Sequence, residues 1–390
     1  MELTDAYSDY MMKKNAVWRE LAMRIDALDV YYVAHPLIEP WTTAYGSDPV
    51  IYSVMVKLTS GGETSWSESC PFLAPTYSPE CAYGAYYVAS EFLAPLVLGQ
   101  SFESAEEINQ AMACVKGNPF AHAAIEIAWW TMQSKLTKTP LHTLLGGSDD
   151  EIDTGADFGR QPSLDRLMER IDGAIREGYK RIKLKAMPGW DLEMLQAVRS
   201  TFPKFTFHID CNAGYTLDDL PMFEKIDKLG LAMIEQPLFH ADVVDHAKLQ
   251  SRLETPICLD ESISSVYMAE KAIELGACKV INIKPGRCGG LYNALRINQL
   301  AQQAGIGCWI GGMLESAVGA GICVELAAMS NMVYPSDLFP SSRFYTEEIS
   351  KNELVFSSPA KMRPSMAYGN AYVPEEAKLK QRTVAHKHCE

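Results

Sequence analysis

The sequence predicts a closed, parallel α/β barrel that follows an α+β segment, and three observations predict it. From "IDTGADFG" (Ile152 to Gly159) onward, short apolar runs alternate with amphipathic stretches of helical period, the signature of parallel βα units. Eight such runs follow one another, enough strands to close a barrel. The G-x-G-x-x-G turn that a doubly wound open sheet carries after its first strand is missing, which leaves the open sheet as the weaker alternative.

In chain order, "NAVWRELAMRI" (Asn15 to Ile25) reads as an amphipathic helix. "VIYSVMVKL" (Val50 to Leu58) reads as a strand that ends in a turn at "SGGE", and "AAIEIAWWTMQSKL" (Ala123 to Leu136) reads as a helix. The barrel strands are "TGADF", "RIKLKA" (Arg181 to Ala186), "FTFHID" (Phe205 to Asp210) and "LAMIEQP" (Leu231 to Pro237). They continue with "PICLDES" (Pro256 to Ser262), "KVINIKP" (Lys279 to Pro285), "IGCWIGG" (Ile306 to Gly312) and "MVYPSDL".

Composition narrows the function. The 390 residues, 47% hydrophobic, bury a large core and suit one big domain or two ordinary ones. No run approaches the roughly 20 apolar residues of a membrane span, and the start lacks a signal peptide's basic and apolar segments, so a cytoplasmic protein is expected. A formal charge of -14 argues against general affinity for nucleic acid or anionic membrane. Ten cysteines without a C-x-x-C pair indicate neither a zinc site nor a disulfide framework, and several sit in strand patterns as buried thiols.

Each of five consecutive strands ends in a charge: Lys185, Asp210, Glu235, Asp260 and Lys284, at steps of 25, 25, 25 and 24 residues. In a barrel these ends converge on one mouth. An Asp there commonly caps the next helix, but Lys caps poorly, and complementary charges in register across five units are hard to obtain by capping. Three facing carboxylates repel one another unless a cation sits between them. Mg²⁺ is the natural occupant, with Mn²⁺ able to substitute, and the lack of His or Cys beside the trio disfavours zinc. Next to a dication and to one another, the lysines are expected to have depressed pKa values, which equips a neutral amine to remove a proton beside a carboxylate. Arg287 either adds to this electropositive field or is a surface loop arginine. Gly286, Gly289 and Gly290 serve a short βα turn, with a phosphate nest as the alternative.

The order K-x-K, Asp, Glu, Asp, Lys resembles the enolase superfamily, which pairs a Lys or His base with Mg²⁺, and within it the muconate lactonizing enzyme subgroup. "RIKLKAMPGWD", "DCNAGYT", "IEQPL", "TPICLDESI", "NIKPGRCGG" and "GGMLES" are similar to the o-succinylbenzoate synthase and N-succinylamino acid racemase family. "PLIEPWTTAYG" (Pro36 to Gly46) resembles its mobile capping loop, "GNPFAHAAIEIAWW" its capping-domain helix, and "SDLFPSSRFYTEEI" also fits. The likeness runs from about Asp29 to Pro374.

The resemblance implies a modified TIM barrel, (β/α)7β, with an α+β capping domain. The division would be a helical extension over 1–28, the capping domain over 29–150, the barrel over 151–345 and a segment returning to the capping domain over 346–390. It implies that Asp210, Glu235 and Asp260 bind Mg²⁺, that Lys185 is the base on one face with Lys183 assisting, and that Lys284 faces it. Asn212 and Glu261, with Arg287, support the metal's surroundings. Trp41, Gly312, Met313 and Leu314 would line the substrate pocket, although core packing also accounts for Trp41 and Met313.

The implied reaction is abstraction of a proton α to a carboxylate through an ene-diolate. The product would be o-succinylbenzoate by dehydration, a racemised N-succinylamino acid, or both. Muconate cycloisomerase, an acid-sugar or dipeptide-type member, and an inactive barrel with a binding role are the alternatives. An Asp-x-Asp pair would mark a dipeptide epimerase, and the chain reads Asp337-Leu338-Phe339. The partner is a small carboxylate, with no nucleic acid or membrane, and a homo-oligomer is expected. One departure stands out: the family reads like "GVSIGIQ" on the first barrel strand and this chain reads "GADFGRQ", placing Asp157 and Arg160 there. Asp157 is expected in the mouth and Arg160 in the following loop, or the two form a structural ion pair.

Overall fold

A computed structural model describes residues 21–43, 46–159 and 161–390. The amino-terminal part is an antiparallel sheet of Ala27–Thr43, Gly46–Ser60 and Glu63–Ser69, to whose first strand the carboxy-terminal strand Thr383–Cys389 adds an outer edge. Pro36–Thr43, expected as a loop, continues the first strand as a hairpin with Gly46–Ser60, its register shifting between Pro36 and Trp41. The helix Pro119–Thr137 starts on Pro at its first position, where no N–H is needed. It is apolar almost all round and buried from Phe120 to Ser134 save His122, because the sheet covers one side and the barrel the other.

Seven parallel strands form the barrel: Ala156–Phe158, Arg181–Lys185, Thr206–Asp210, Ile234–Glu235, Ile257–Leu259, Val280–Ile283 and Gly307–Ile310, each paired with its neighbour in sequence. The eighth run is not a regular strand, since Pro335 has no N–H to give a ladder. It still closes the ring: Val333 donates to Cys308 O at 2.9 Å on one side, and Gly155 donates to Ser336 O at 3.0 Å on the other. Gly155 is required by a close approach, because a Cβ there would lie 2.0 Å from the Arg181 guanidinium inside the barrel.

The expected helix over Asn15 to Ile25 lies outside the described residues up to residue 20. Beyond it the expectation fails: Met23–Arg24 is a short strand antiparallel to Ser101–Phe102, with Met23 and Ile25 buried on alternate positions. The period there is 2, not 3.6. Arg160 also lies outside the described residues. Eight of the ten cysteines are buried, and among the described residues no helix is long and apolar enough to cross a membrane.

Candidate active site

Side chains on a strand alternate between faces, so "RIKLK" turns Arg181, Lys183 and Lys185 into the barrel while Ile182 and Leu184 pack against the helices. The three cations stack from the interior up to the mouth. Lys183 and Lys185 meet Asp210 Oδ2 at 3.1 and 2.6 Å, and Lys185 also donates to Asn212 Oδ1 at 3.1 Å. Lys183 further meets Glu235 Oε2 at 3.2 Å and Asp337 Oδ2 at 2.8 Å. On the far side, Lys284 lies 3.0 Å from Asp260 Oδ2.

Asp260 Oδ1 accepts from Tyr77 OH at 3.0 Å and is in direct contact with the Arg287 guanidinium. Arg287 is therefore no surface loop residue: it is buried, donating also to Asn282 O and Ile263 O. Asp210 Oδ1 accepts the Asn212 N–H at 3.0 Å, and Asn212 donates from its amide to Glu261 Oε1 at 3.2 Å. Lys183, Lys185, Lys284, Asn212, Asp157, Trp41, Gly312, Met313 and Leu314 all border one cavity of about 750 Å³, counted with its open side. Met313 and Leu314 are buried as well as cavity-facing, so packing and lining coincide.

Burial lowers the pKa of Lys183, but Asp337, Glu235, Asp157 and Asp210 outweigh it and hold the ammonium well above its ordinary range. Lys284 is raised in the same way, against burial, by Tyr77, Glu261 and Glu235. Among the chain's own groups, repulsion between Lys183 and Lys284 is too weak to depress either against this many carboxylates, and the depression expected beside a dication depends on that ion sharing the carboxylates' charge. Burial raises Asp210 and Glu235, yet Lys183, with Lys185 at Asp210 and His208 at Glu235, keeps both below their usual values. Burial, with Asp210 beside it, lifts Glu261 to about 7. Burial and then Asp337 lift Asp157 to about 6.

The donor set suits a hard dication. Asp210, Glu235 and Asp260 stand on successive strand ends, and Glu261 Oε2 is a buried carboxylate oxygen with no hydrogen-bond partner, electrostatically coupled to Asp210. Among the described residues, no three acidic, His or Cys side chains gather on a single point; each of the three carboxylates meets a cation of the chain. One expectation needs correction here. His208 does accompany the trio, with Nε2 3.2 Å from Glu235 Oε2, but burial holds it near 4, a neutral ring below the mouth whose Nδ1 meets Tyr334 OH at 3.1 Å.

Sequence reasoning does not find Arg181 and Tyr77, and it reads Asp337 only against the Asp-x-Asp pair, not as a partner of the lysines. Arg181 opens the same inward face as the two lysines, and its Nη2 bonds Asp337 Oδ1 at 2.5 Å. Its Nη1 is 3.8 Å from Asp157 Oδ1, so the described ionic neighbour of Asp157 is Arg181.

Comparison with known proteins places these features. Residues 166–372 match the family described as enolase C-terminal domain-like, and residues 27–146 match the mandelate racemase / muconate lactonizing enzyme N-terminal domain. The chain is 40% identical over 332 residues to an N-succinylamino acid racemase of Thermus thermophilus, covering 85% of this chain and 90% of that protein. It is 38% identical over 330 residues to an o-succinylbenzoate synthase of Geobacillus kaustophilus, covering 84% and 88%. A solved structure of a probable mandelate racemase from Alicyclobacillus acidocaldarius superposes with a TM-score of 0.89 at 33% identity, over 94% of this chain and 98% of the other.

Proposed function

The chain belongs to the mandelate racemase / muconate lactonizing enzyme group of the enolase superfamily, and from that premise we propose that it removes the proton α to a carboxylate of a small molecule, as an o-succinylbenzoate synthase, an N-succinylamino acid racemase, or both. The observation that carries this reading is the opposed pair of amines: Lys185 and Lys284 border one cavity from the second and sixth barrel strands, each on a different carboxylate.

Asp210, Glu235 and Asp260 would hold Mg²⁺, or Mn²⁺ in its place, and such an ion would withdraw charge from the substrate carboxylate as the α-proton leaves. Lys185 takes that proton on its own face. Lys183, the more deeply buried, stays an ammonium and balances charge beside Asp210 and Glu235. In dehydration the hydroxyl on the neighbouring carbon leaves as water with the proton that Lys185 took, while Lys284 stays charged on the opposite face; in racemisation Lys284 gives its own proton to that face and Lys185 keeps the one it took. Arg287 and Tyr77 fix Asp260, and Asn212 links Asp210 to Glu261.

The names of the two relatives above support both reactions equally, so the deciding experiment is a side-by-side assay. The purified protein with Mg²⁺ is given 2-succinyl-6-hydroxy-2,4-cyclohexadiene-1-carboxylate and, separately, single enantiomers of N-succinylamino acids. Turnover of either class supports the reading. Turnover of neither, with no α-proton exchange into deuterated water, refutes it.

A further inference from the structure

Beside the cavity above the lysines lies an outer chamber of about 1430 Å³, counted with its open side. Four residues border both spaces: Trp41, Asp157, Lys185 and Phe344. The two spaces adjoin at these four residues, so a substituent on a carbon reacting at Lys185 that extends toward the outer chamber passes them. Trp41 and Phe344 meet edge to face at 5.8 Å and make apolar walls. Asp157 is the hydrogen-bond acceptor among the four side chains.

Asp157 is 5% exposed, and its Oδ1 has no hydrogen-bond partner; Arg181 Nη1, at 3.8 Å, is beyond bonding reach. A buried carboxylate oxygen left without a donor is costly, so a ligand that supplies one gains the difference. Beyond Asp157, the outer chamber is bordered by Arg170 and Arg343 and by one further acid, Glu39, which lies near Arg170, and among the described residues neither arginine forms a salt bridge. They are held by neutral acceptors instead, Arg170 by Gln161 Oε1 and Arg343 by the Asp157 carbonyl, each at 3.2 Å, and each also lies over a phenylalanine ring. Guanidinium groups so fixed suit an anionic group.

We propose that Asp157 is a specificity residue: the substrate carries, between its reacting carbon and an anionic end in the arginine-lined chamber, an N–H or O–H that donates to Asp157 where the two spaces adjoin. This deepens the proposed function and rests on it. A carboxylate only accepts, so an ester or ether oxygen at the same place is rejected.

N-succinylglycine and O-succinylglycolate test this, because they differ in NH against O beside the reacting carbon and neither has a stereocentre. Their binding is read by calorimetry with Mg²⁺ present, and α-proton exchange in deuterated water is followed in parallel. The expected result is at least tenfold tighter binding of the amide by the wild type, and a ratio within about twofold in Asp157→Ala. Asp157→Leu, close to Asp in shape, replaces the alanine variant if that one does not fold. Equal binding of the two probes by the wild type, or a preference that survives either substitution, overturns the proposal. If both probes exchange while binding equally, Asp157 loses its role and the proposed chemistry stands. If neither binds nor exchanges, the role of Asp157 falls, and the proposed chemistry then stands or falls on the dehydration substrate.

Discussion

Replacing Asp337 by Asn should cost the fold about 3–5 kcal/mol, the usual penalty for removing one partner of a buried ion pair. Its two oxygens serve two buried cations, Arg181 at 2.5 Å and Lys183 at 2.8 Å. Asparagine keeps the shape but removes the charge and turns an NH₂ toward one of them. Arg181 then has the Pro335 carbonyl at 2.7 Å and the Asp157 carboxylate at 3.8 Å, too little for a guanidinium with no solvent exposure. Lys183 still has Asp210 and Glu235, so the larger part of the loss falls on Arg181. The double variant Arg181→Met/Asp337→Asn removes the stranded cation and should recover roughly 1–3 kcal/mol relative to the sum of the singles. Urea unfolding of the four proteins measures this cycle. The site supplies a second readout: with Asp337 gone, Lys183 leans harder on Asp210 and Glu235, and apparent Mg²⁺ affinity should fall about 10–100-fold. A single-variant loss below about 1 kcal/mol, or strictly additive singles, would refute the account of Asp337 as the anchor of the two cations.

Other outcomes follow from the same geometry. Glu235→Gln should abolish turnover, and chelation should do so reversibly in the wild type; full activity of that variant in a chelating buffer would sink the metal-assisted mechanism. Lys185→Ala should stop both dehydration and racemisation, whereas Lys284→Ala should stop racemisation by depriving one face of its proton carrier. Racemisation at the wild-type rate in Lys284→Ala would rule out the two-lysine scheme. Glu68 links the capping sheet to the barrel, accepting from Ser316 Oγ at 2.6 Å and Gly319 N at 3.0 Å, and burial lifts its pKa to about 7. The folded state therefore holds this proton more tightly than the unfolded chain. The contribution is fully present below about 4.5, the ordinary value, and is lost as pH rises through about 7. Glu68→Gln should flatten that part of the stability profile, and an unchanged slope in the variant would refute the assignment.

The strand-end charges were legible because two periods coincide in them. A period of 2 within each strand decides which residues face inward, and a repeat near 25 places one such residue at each end. Asp337 escaped the same logic because its run contains Pro335 and makes no ladder, so nothing in the local pattern marks its inward direction. Tyr77 comes from the capping segment, in a turn with no period, and its place against Asp260 follows from how the two parts pack. Arg287 was left between two readings for a related reason: a sequence shows that an arginine follows a strand, but not that Asp260 and the Asn282 and Ile263 carbonyls surround it. The anions around Lys183 were not legible because they lie far from it in sequence: Asp157 is its register partner on the preceding strand, and Asp337 reaches it from the eighth run.

Buried positive charge on "RIKLK" is tolerable because the barrel sets an anion beside each cation. Arg181, Lys183, Lys185, Lys284 and Arg287 stand against Asp157, Asp210, Glu235, Asp260 and Asp337, with Glu261, lifted to about 7, and Glu315 beside the same cavity. Such a set folds without a large net charge, so its desolvation is offset by close pairs rather than left uncompensated. A dication held by Asp210, Glu235 and Asp260 would move this balance toward positive charge, which suits a site whose substrate is a carboxylate and whose reaction builds further negative charge, because attraction then grows along the reaction. Asp157 bears on the same balance, because its replacement by an uncharged residue shifts the mouth toward positive charge where the two cavities adjoin.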